Sequence, residues 1–461
     1  MQLNEQLNRY IDAHIDELFE IVARLCKHPS VSTDACGENA PYGQACRDVL
    51  DEALAICKEY GFKIHDDAGY AGHGEIAEGE ELIGIMAHLD VVPAGEGWAS
   101  EPYSLDIRDG KAYGRGTIDN KGPAAAAIFA MHALLECGVP LKRRVRVIMG
   151  CNEENGMDDL VHYFANNEMP LWGFTPDANY PVINCEKHIF QAVFEKQVED
   201  MGKVKKIACG ERFNVVPEKA EIILAEALSE EEKAAAAAYA AANEVKIDVA
   251  DDKITVFGVA AHASHPNLGV NAAGHALRLI EACALCAGDG RQAVAYLAKH
   301  VGLETDGASL GMACEDEQSG KLTCNLGVLN VENGKFFVGF DMRCPVQVAP
   351  QLLKDNMKAA AQRGGFAMII RHFEDGIYVD EKAELIGVLL ETYEAQTGRK
   401  GETIAIGGGT YARQMPNRAV AFGPCFPEKV DMCHQRDEYI EVEDLIILCK
   451  ICAQALARLA G

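Results

Sequence analysis

Five stretches of the sequence place residues that commonly bind metal ions beside turns or at the ends of strand-like segments. Histidine and carboxylate side chains together are typical ligands of divalent transition-metal ions. Two imidazoles and several carboxylates suffice for two such ions and one activated water, so the set predicts a dinuclear metallohydrolase. The stretches are MAHLDVVPAGEGW with His88 and Asp90, GRGTIDNKGP with Asp119, CNEENG with Glu153 and Glu154, TPDANYP with Asp177, and MCHQRDE with His434.

Two of these stretches contain pairs that could divide the work. His88 and Asp90 are two residues apart, so in a regular strand their side chains share one face, and the carboxylate could orient a ligating imidazole. Glu153 and Glu154 are adjacent and point in different directions, so one could bind metal while the other accepts a proton from water. Each residue alone would also fit a helix cap, a turn or a solvated loop.

A hypothetical assignment of the ligands gives a balanced charge. In it, His88 and His434 bind different ions, Asp119 bridges the ions, and Glu154 and Asp177 bind one ion each. Three carboxylates and two divalent ions then leave one positive charge, which a bridging hydroxide neutralises. Mixed imidazole and carboxylate ligation favours zinc, with manganese or cobalt as alternatives.

Alternating strand-like and helical segments position these residues. Residues 81–90 and 143–154 read as strands, and residues 43–60 and 121–138 read as helices, the second with Pro123 near its start and Gly138 at its end. Strands separated by helices predict an α/β fold with a mostly parallel sheet and flanking helices. Sites in such sheets form at the carboxyl ends of strands, where His88 and Glu153 fall.

The chain changes character near residue 187, where short alternating strands and helices indicate an α+β segment. Because His434 must join residues 88–177, this segment is predicted to be an insertion. The predicted parts are a catalytic domain formed by residues 1–186 and 384–461, and an inserted lid domain at residues 187–383.

Composition excludes several classes of partner. A net charge of −27 is unfavourable for binding nucleic acid or an anionic membrane surface. The N-terminus reads as an amphipathic helix rather than a signal peptide, so a cytoplasmic protein is expected. The 17 cysteines then read as thiols, and Cys151, Cys185 and Cys433, near site residues in the sequence, read as small buried side chains rather than ligands.

The order of these motifs resembles the metallopeptidase family that contains carnosinases, aminoacylases, succinyl-diaminopimelate desuccinylase and glutamate carboxypeptidases. Within it, the sequence is most similar to bacterial PepV-type dipeptidases of the Xaa-His or β-alanyl type. The stretches that carry the resemblance are HLDVVPAGEGW, GRGTIDNKGP, NEENG, DANYPVI, RFNVVPEKAE, AAHASHP and GGGTYAR.

The resemblance implies roles for individual residues. It makes Asp90 the group that orients His88, Glu153 the general base and later proton donor, and the Asp119–Asn120 peptide bond cis. The metal ligands that it implies are His88, Asp119 as the bridge, Glu154, Asp177 and His434.

The resemblance also implies that the lid contributes to substrate binding. It implies that His262 stabilises the oxyanion, with His265 a weaker candidate, and that Arg343 pairs with the substrate's C-terminal carboxylate. The remaining implied substrate-binding residues are Asn214, Gly408 and Gly409. His188 stands where close relatives are expected to have glycine.

Three functions are compatible with this set. Hydrolysis of unblocked dipeptides is favoured, because a lid closing over a small site suits a substrate of about two residues. A deacylase acting on N-acyl amino acids would use the same metals and base. A metal-binding protein without activity would not need Glu153. The resemblance further implies a lid longer than that of many dimeric relatives, and such a lid predicts a monomer that is catalytically self-sufficient.

Overall fold

The computed structural model describes residues 3–461, which divide into two compact units. The first unit comprises residues 3–184, 377–404 and 409–461, and the second comprises residues 185–376 and 405–408. The second unit is therefore an insertion that also recruits a short segment from the chain that follows it. We call them the catalytic unit and the inserted unit.

The helices of the catalytic unit lie on both sides of the insertion in the sequence, whereas those of the inserted unit are consecutive. In chain order the helices are α1 Leu3–Ala13, α2 Ile15–Cys26, α3 Gln44–Glu59, α4 Lys121–Glu136, α5 Asp158–Asn166, α6 Glu230–Asn243, α7 Ala272–Ala282, α8 Gly288–His300, α9 Pro350–Arg363, α10 Glu384–Thr397 and α11 Val442–Ala460.

The strands follow the same division. The strands up to the insertion are β1 Lys63–Asp67, β2 Ala71–Ile76, β3 Leu82–His88, β4 Asp106–Arg108, β5 Lys111–Tyr113, β6 Arg144–Gly150, β7 Trp172–Thr175, β8 Ala178–Asn179 and β9 Val182–Glu186. The next strands, from β10 to β19, lie within the insertion: β10 His188–Gln197, β11 Val204–Cys209, β12 Lys219–Leu224, β13 Lys246–Val249, β14 Lys253–Phe257, β15 Glu315–Asp316, β16 Gly320–Lys321, β17 Thr323–Glu332, β18 Lys335–Cys344 and β19 Ala367–Glu374. The strands after them are β20 Ile377–Tyr378, β21 Thr403–Ile406, β22 Ala419–Ala421, β23 Pro424–Cys425 and β24 Tyr439–Glu441.

The main sheet of the catalytic unit is parallel at its centre. Its order is β1-β2-β6-β3-β7-β22-β9-β20, and the pairs β6–β3, β3–β7 and β7–β22 are parallel. The pairs β1–β2, β2–β6 and β22–β9 are antiparallel. The predicted α/β fold with an inserted α+β unit is confirmed, and the parallel pairs β6–β3, β3–β7 and β7–β22 form the centre of the sheet.

The central strands are buried on both faces, which explains their continuous apolar sequence. All seven residues of β3 are buried. Ile83, Ile85 and Ala87 belong to one apolar cluster and Met86 to another, as the two-residue period of a strand requires. The first cluster also contains most of α4, whose alanines allow close packing against the sheet and α11.

The inserted unit is built on an eight-stranded sheet with order β13-β14-β12-β11-β17-β18-β10-β19, in which every pair is antiparallel. Its helices have local signals of their own. Ser229 and Glu232 form a capping box at the start of α6, and the Asn271 side chain accepts the amides of Ala273 and Gly274 at the start of α7. None of the helices in residues 3–461 combines the length and apolar character that crossing a membrane requires.

Candidate metal centre

Three neighbouring parallel strands end at the same edge of the main sheet and deliver the candidate ligands. His88 is the last residue of β3, and Glu153 and Glu154 follow the end of β6. Asp177 follows the end of β7. Because parallel strands place their carboxyl ends together, residues far apart in sequence meet here.

The first group of ligand atoms comes from His88, Asp119 and Asp177. The His88 Nε2 atom lies 2.9 Å from Asp119 Oδ1 and 3.5 Å from Asp177 Oδ1. Neighbouring ligand atoms of a tetrahedral zinc ion with bonds of about 2.0–2.1 Å are about 3.4 Å apart. The spacing of these atoms therefore fits one divalent ion.

The second group comes from Asp119, Glu154 and His434. The His434 Nε2 atom lies 3.0 Å from Asp119 Oδ2 and 3.0 Å from Glu154 Oε1. Asp119 thus presents one oxygen to each imidazole. A carboxylate shared in this way can bridge two ions, so the donor set fits a dinuclear centre.

The titration of the two imidazoles reflects this acidic environment. Burial lowers the pKa of His88, but Asp177 and Asp119 outweigh it and hold that pKa well above its ordinary value. Hydrogen bonds with Asp119 and Glu154 raise the pKa of His434 to about 11. In the metal-free protein, protons therefore occupy the nitrogen atoms that would face the ions.

Asp90 contacts both the imidazole and the glutamate pair. The Nδ1 atom of His88 lies 2.9 Å from the backbone carbonyl oxygen of Asp90 and 3.4 Å from its carboxylate. The two carboxylate oxygens accept the amides of Glu153 at 3.2 Å and Glu154 at 3.1 Å. Asp90 therefore links the end of β3 to the loop that follows β6.

Asp159, which the sequence analysis does not identify, extends this support to the preceding residues. Its fully buried carboxylate accepts the amides of Cys151 at 2.7 Å and Asn152 at 2.8 Å, and the Tyr411 hydroxyl donates to the same oxygen. Together with Asp90, it fixes four consecutive amides, from Cys151 to Glu154. The loop that presents the glutamate pair is therefore held by two buried carboxylates.

Glu438 holds the Asp119 loop in a similar way, and sequence reasoning missed it too. Its Oε1 atom accepts the amides of Gly116 at 2.9 Å, Ile118 at 3.1 Å and Asp119 at 3.3 Å. Its other oxygen lies 2.5 Å from the Arg115 guanidinium, and both side chains are buried. Glu438 lies four residues after His434, so two of the three segments that supply the second ligand group, those of Asp119 and His434, are joined directly.

Asn120 connects the first ligand group to its supporting backbone. The Asp119–Asn120 peptide bond is cis, as the family resemblance implies. The Asn120 amide donates to the Pro176 carbonyl at 2.6 Å and to Asp177 Oδ1 at 3.0 Å, and its oxygen accepts the His88 amide at 3.3 Å. This buried side chain therefore fixes two ligand residues relative to each other.

Glu153 lies beside the ligands but belongs to neither ligand group. Burial raises its pKa well above the ordinary value, and the negative charge of Asp177 raises it further. A carboxyl group with a raised pKa can accept a proton and release it again near neutral pH. This is the behaviour that a general base and later acid requires.

His262 lies in a short chain of polar side chains in the inserted unit. Its Nδ1 atom accepts the Ser264 amide at 3.2 Å and lies 2.6 Å from the Ser264 hydroxyl, which in turn lies 2.9 Å from His265 Nδ1. An accepting Nδ1 leaves the ring proton on Nε2. Burial and the Arg343 charge lower the pKa of His262, which favours this neutral donor form.

Arg343 is held by its neighbours in the same unit. Its Nε and Nη2 atoms donate to the two oxygens of Asp341 at 2.7 and 3.2 Å, and Nη1 donates to the Gly407 carbonyl at 2.5 Å. These bonds use three of the five N–H groups of the guanidinium.

The Asn214 carbonyl accepts the amide of Ala263, so Asn214 lies beside the His262 segment.

The glycines of IGGGTYAR differ in how tightly they are packed. A Cβ atom at Gly407 would lie 2.7 Å from the Ser264 side chain, and one at Gly409 would lie 2.6 Å from Arg413 Nε. At Gly408 the nearest atom would be at an ordinary 3.5 Å. Local packing therefore requires glycine at 407 more strictly than at 408.

His188 begins β10, where its Nδ1 atom accepts the Gly376 amide at 2.8 Å.

Comparison with known proteins identifies the family. A model of peptidase family M20/M25/M40 matches residues 84–458. This chain belongs to the M20 peptidase family. The match covers most of the chain and includes every candidate ligand, and it confirms the family that the motifs predict.

Two relatives and one solved structure match nearly the whole chain. The Bacillus subtilis protein named "Putative dipeptidase YtjP" is 35% identical over 441 residues, covering 92% of this chain and 93% of the relative. The similarly named Staphylococcus aureus protein SAR1836 is 33% identical over 468 residues, covering 98% of both. The aminoacylhistidine dipeptidase of Vibrio alginolyticus shares the fold, with a TM-score of 0.62 at 13% identity and 96% coverage of each chain.

Proposed function

We propose that this M20 peptidase hydrolyses the peptide bond of unblocked dipeptides with the help of two divalent metal ions. The observation that carries the proposal is the shared carboxylate of Asp119, which faces a histidine in each of two ligand groups, with Glu153 alongside. The dipeptidase names of the relatives that match over nearly their full length support the choice of substrate.

We assign His88, Asp119 and Asp177 to one ion, and Asp119, Glu154 and His434 to the other. Zinc suits these nitrogen and oxygen donors, and manganese and cobalt are the alternatives. When bound, the two ions would lower the pKa of water and polarise the scissile carbonyl group.

Glu153 moves the proton in this proposal. It accepts a proton from the attacking water and later donates it to the nitrogen of the leaving amine. Its raised pKa suits the second step, because a protonated carboxyl group must persist near neutral pH. Asp90 and Asp159 keep the carboxyl group in place by fixing the backbone before and at Glu153.

The inserted unit supplies substrate recognition in the same proposal. His262 donates its Nε2 proton to the oxyanion, and Arg343 binds the C-terminal carboxylate of the dipeptide. Asn214, Gly408 and Gly409 are assigned to substrate binding as well. A neutral His262 and an arginine fixed by Asp341 are suited to these roles.

A substrate panel tests the proposal. Protein stripped of metal is reconstituted separately with zinc, manganese and cobalt, and each form is assayed with unblocked dipeptides and with N-acetyl and N-succinyl amino acids. We expect turnover of the dipeptides. Turnover of the acylated compounds alone would instead establish a deacylase, the alternative that the same centre permits.

Glu153→Gln separates catalysis from metal binding. We expect this variant to keep both ions and to lose activity by about 10²–10⁴-fold, the usual contribution of a general base. If the variant binds dipeptides and metal but its hydrolysis rate equals that of the unchanged protein, Glu153 is not the base.

A further inference from the structure

Two cysteines and an aspartate lie together on the segment that carries His434. Cys425 ends β23 and is 9% exposed, whereas Cys433 immediately precedes His434 and is half-buried, in contrast to the buried side chain that the sequence predicts. The two sulfur atoms and a carboxylate oxygen of Asp431 all lie within 4.8 Å of one another. Asp431 also accepts the Cys433 amide at 2.9 Å, so the loop is already folded around this point.

We propose that Cys425, Asp431 and Cys433 bind a third divalent ion, with zinc as the preferred metal, in addition to the two ions of the dinuclear centre. Two thiolates and a carboxylate are ligands that zinc accepts, and a water molecule completes the tetrahedron. The ion displaces the two thiol protons to solvent when it binds. The site then has one net negative charge, like a site of three cysteines and one histidine.

The spacing of the three donor atoms requires only a small adjustment. Zinc–sulfur bonds of about 2.3 Å place two tetrahedral ligands about 3.8 Å apart, and a sulfur and an oxygen about 3.6 Å apart. The donor atoms therefore need to close by about 1 Å at most from their upper limit of 4.8 Å. Rotation of the exposed Asp431 side chain can close the sulfur–oxygen distances, and rotation of the cysteine side chains can close the sulfur–sulfur distance.

The position of the site explains what a third ion would do. His434 has a left-handed backbone conformation, with φ of 64°, and its side chain is 52% exposed. A residue other than glycine keeps such a conformation only when its surroundings enforce it. An ion bound by Cys425 and Cys433 would tie the residue before His434 to the end of β23. We therefore expect the third ion to strengthen binding of the catalytic ion that His434 holds.

Counting bound zinc tests the site directly and does not depend on the substrate. Reduced protein is stripped of metal, reconstituted with zinc and desalted, and zinc is measured per chain. We expect three ions in the unchanged protein and two in the Cys425→Ser/Cys433→Ser variant. The control is Cys36→Ser/Cys314→Ser, which alters two cysteines outside this cluster and should keep three.

Cobalt provides a second measurement, by absorption spectroscopy of the same three proteins. The dinuclear ligand set contains no sulfur, so a near-ultraviolet thiolate-to-cobalt absorption band in the cobalt-loaded protein would come from a cysteine site. We expect the band in the unchanged protein and the control, and its loss in the Cys425→Ser/Cys433→Ser variant.

Three results would overturn the proposal. The first is two zinc ions in the unchanged protein together with no thiolate–cobalt band. The second is a zinc count and band that are the same with and without the two cysteines. The third is a Cys425–Cys433 disulfide, found by peptide mapping of the same preparation, in place of the third ion. The dinuclear centre would fail by a different result, a zinc count below two in the unchanged protein.

Discussion

The substitution Glu438→Gln examines whether a residue that binds no metal determines the geometry of the centre. Glutamine keeps the size of the side chain but removes its charge and one acceptor oxygen. In the protein, the carboxylate accepts the amides of Gly116, Ile118 and Asp119 and pairs with buried Arg115. Whichever way the glutamine amide turns, its NH₂ group faces a donor.

The cost follows from the contacts that are lost. A hydrogen bond to a charged group contributes about 1 kcal/mol more than a neutral one, and Glu438 accepts three amides. Leaving the buried Arg115 charge without its partner costs about 3–5 kcal/mol. We expect most of this cost to appear as lost stability and part of it as displacement of Asp119. Loss of a group that supports a metal ligand typically weakens metal binding or activity by about 10–100-fold.

Competition with a chromophoric chelator measures the metal affinity, and a dipeptide assay at saturating metal measures kcat. We expect Glu438→Gln to weaken binding of at least one ion by about 10–100-fold. Glu443→Gln is the matched control, because it makes the same substitution at an exposed position five residues further along the chain. If Glu438→Gln retains the metal affinity and kcat of the control, the carboxylate does not position Asp119 and the reasoning fails.

Four further predictions concern protons, the oxyanion donor and the subunit. Carboxylate partners raise the pKa of His434 to about 11 and also raise the pKa of His88, so metal uptake at pH 7 should release about one proton from each imidazole. Calorimetry in buffers of different ionisation enthalpy measures the number of protons released. Release of no protons would contradict the prediction. The same protons stabilise the metal-free protein fully below about pH 6.5, and this stabilisation should be lost as pH rises towards 11. Ser264→Ala should lower kcat by about 2–10-fold with little change in KM, and Ser264→Thr should restore it, because the hydroxyl contributes one hydrogen bond to His262. Mixing His262→Ala and Glu153→Ala proteins should not restore activity, since we propose a self-sufficient monomer; recovery would show that chains share residues.

The sequence was sufficient to predict the elements that carry the candidate ligands. The apolar run before His88 and the alternating run before Glu153 both predict strands, and these strands are β3 and β6. The proline and glycine that bracket residues 121–138 predict a helix, which is α4. Such signals are local, so a single sequence contains them.

The antiparallel edge of the sheet left no comparable signal. Strand β2 has the sequence AGHGEI, in which the last residue, Ile76, is the only one of the β-branched or aromatic residues that favour strands. Its glycines are needed because a Cβ atom at Gly72 would approach Leu54 at 3.1 Å, and one at Gly74 would approach Cys57 at 2.8 Å. Close packing against α3 therefore explains a composition that reads as a loop.

Asp159 and Glu438 were missed for a different physical reason. Each lies in an acidic pair, Asp158–Asp159 or Asp437–Glu438, and a pair of this kind usually indicates a solvated turn or helix start. The two residues of each pair differ in burial: Asp159 and Glu438 are fully buried, whereas Asp158 and Asp437 are not. The only hint in the sequence is Arg115 between two glycines, since a buried arginine needs a carboxylate partner.

The buried carboxylates of Asp159 and Glu438 hold the backbone of the metal centre in place before metal binds. Asp119, Glu154 and Asp177 would repel one another if nothing lay between them. The two imidazoles separate them and, when protonated, supply positive charge where the ions would lie. Hydrogen bonds to Glu438 and Asp90 fix the backbone of the loops that carry Asp119 and Glu154, and these bonds do not involve a metal ion. We infer that protons hold the places of the ions, so metal binding exchanges charge in a site whose backbone is already held by buried carboxylates.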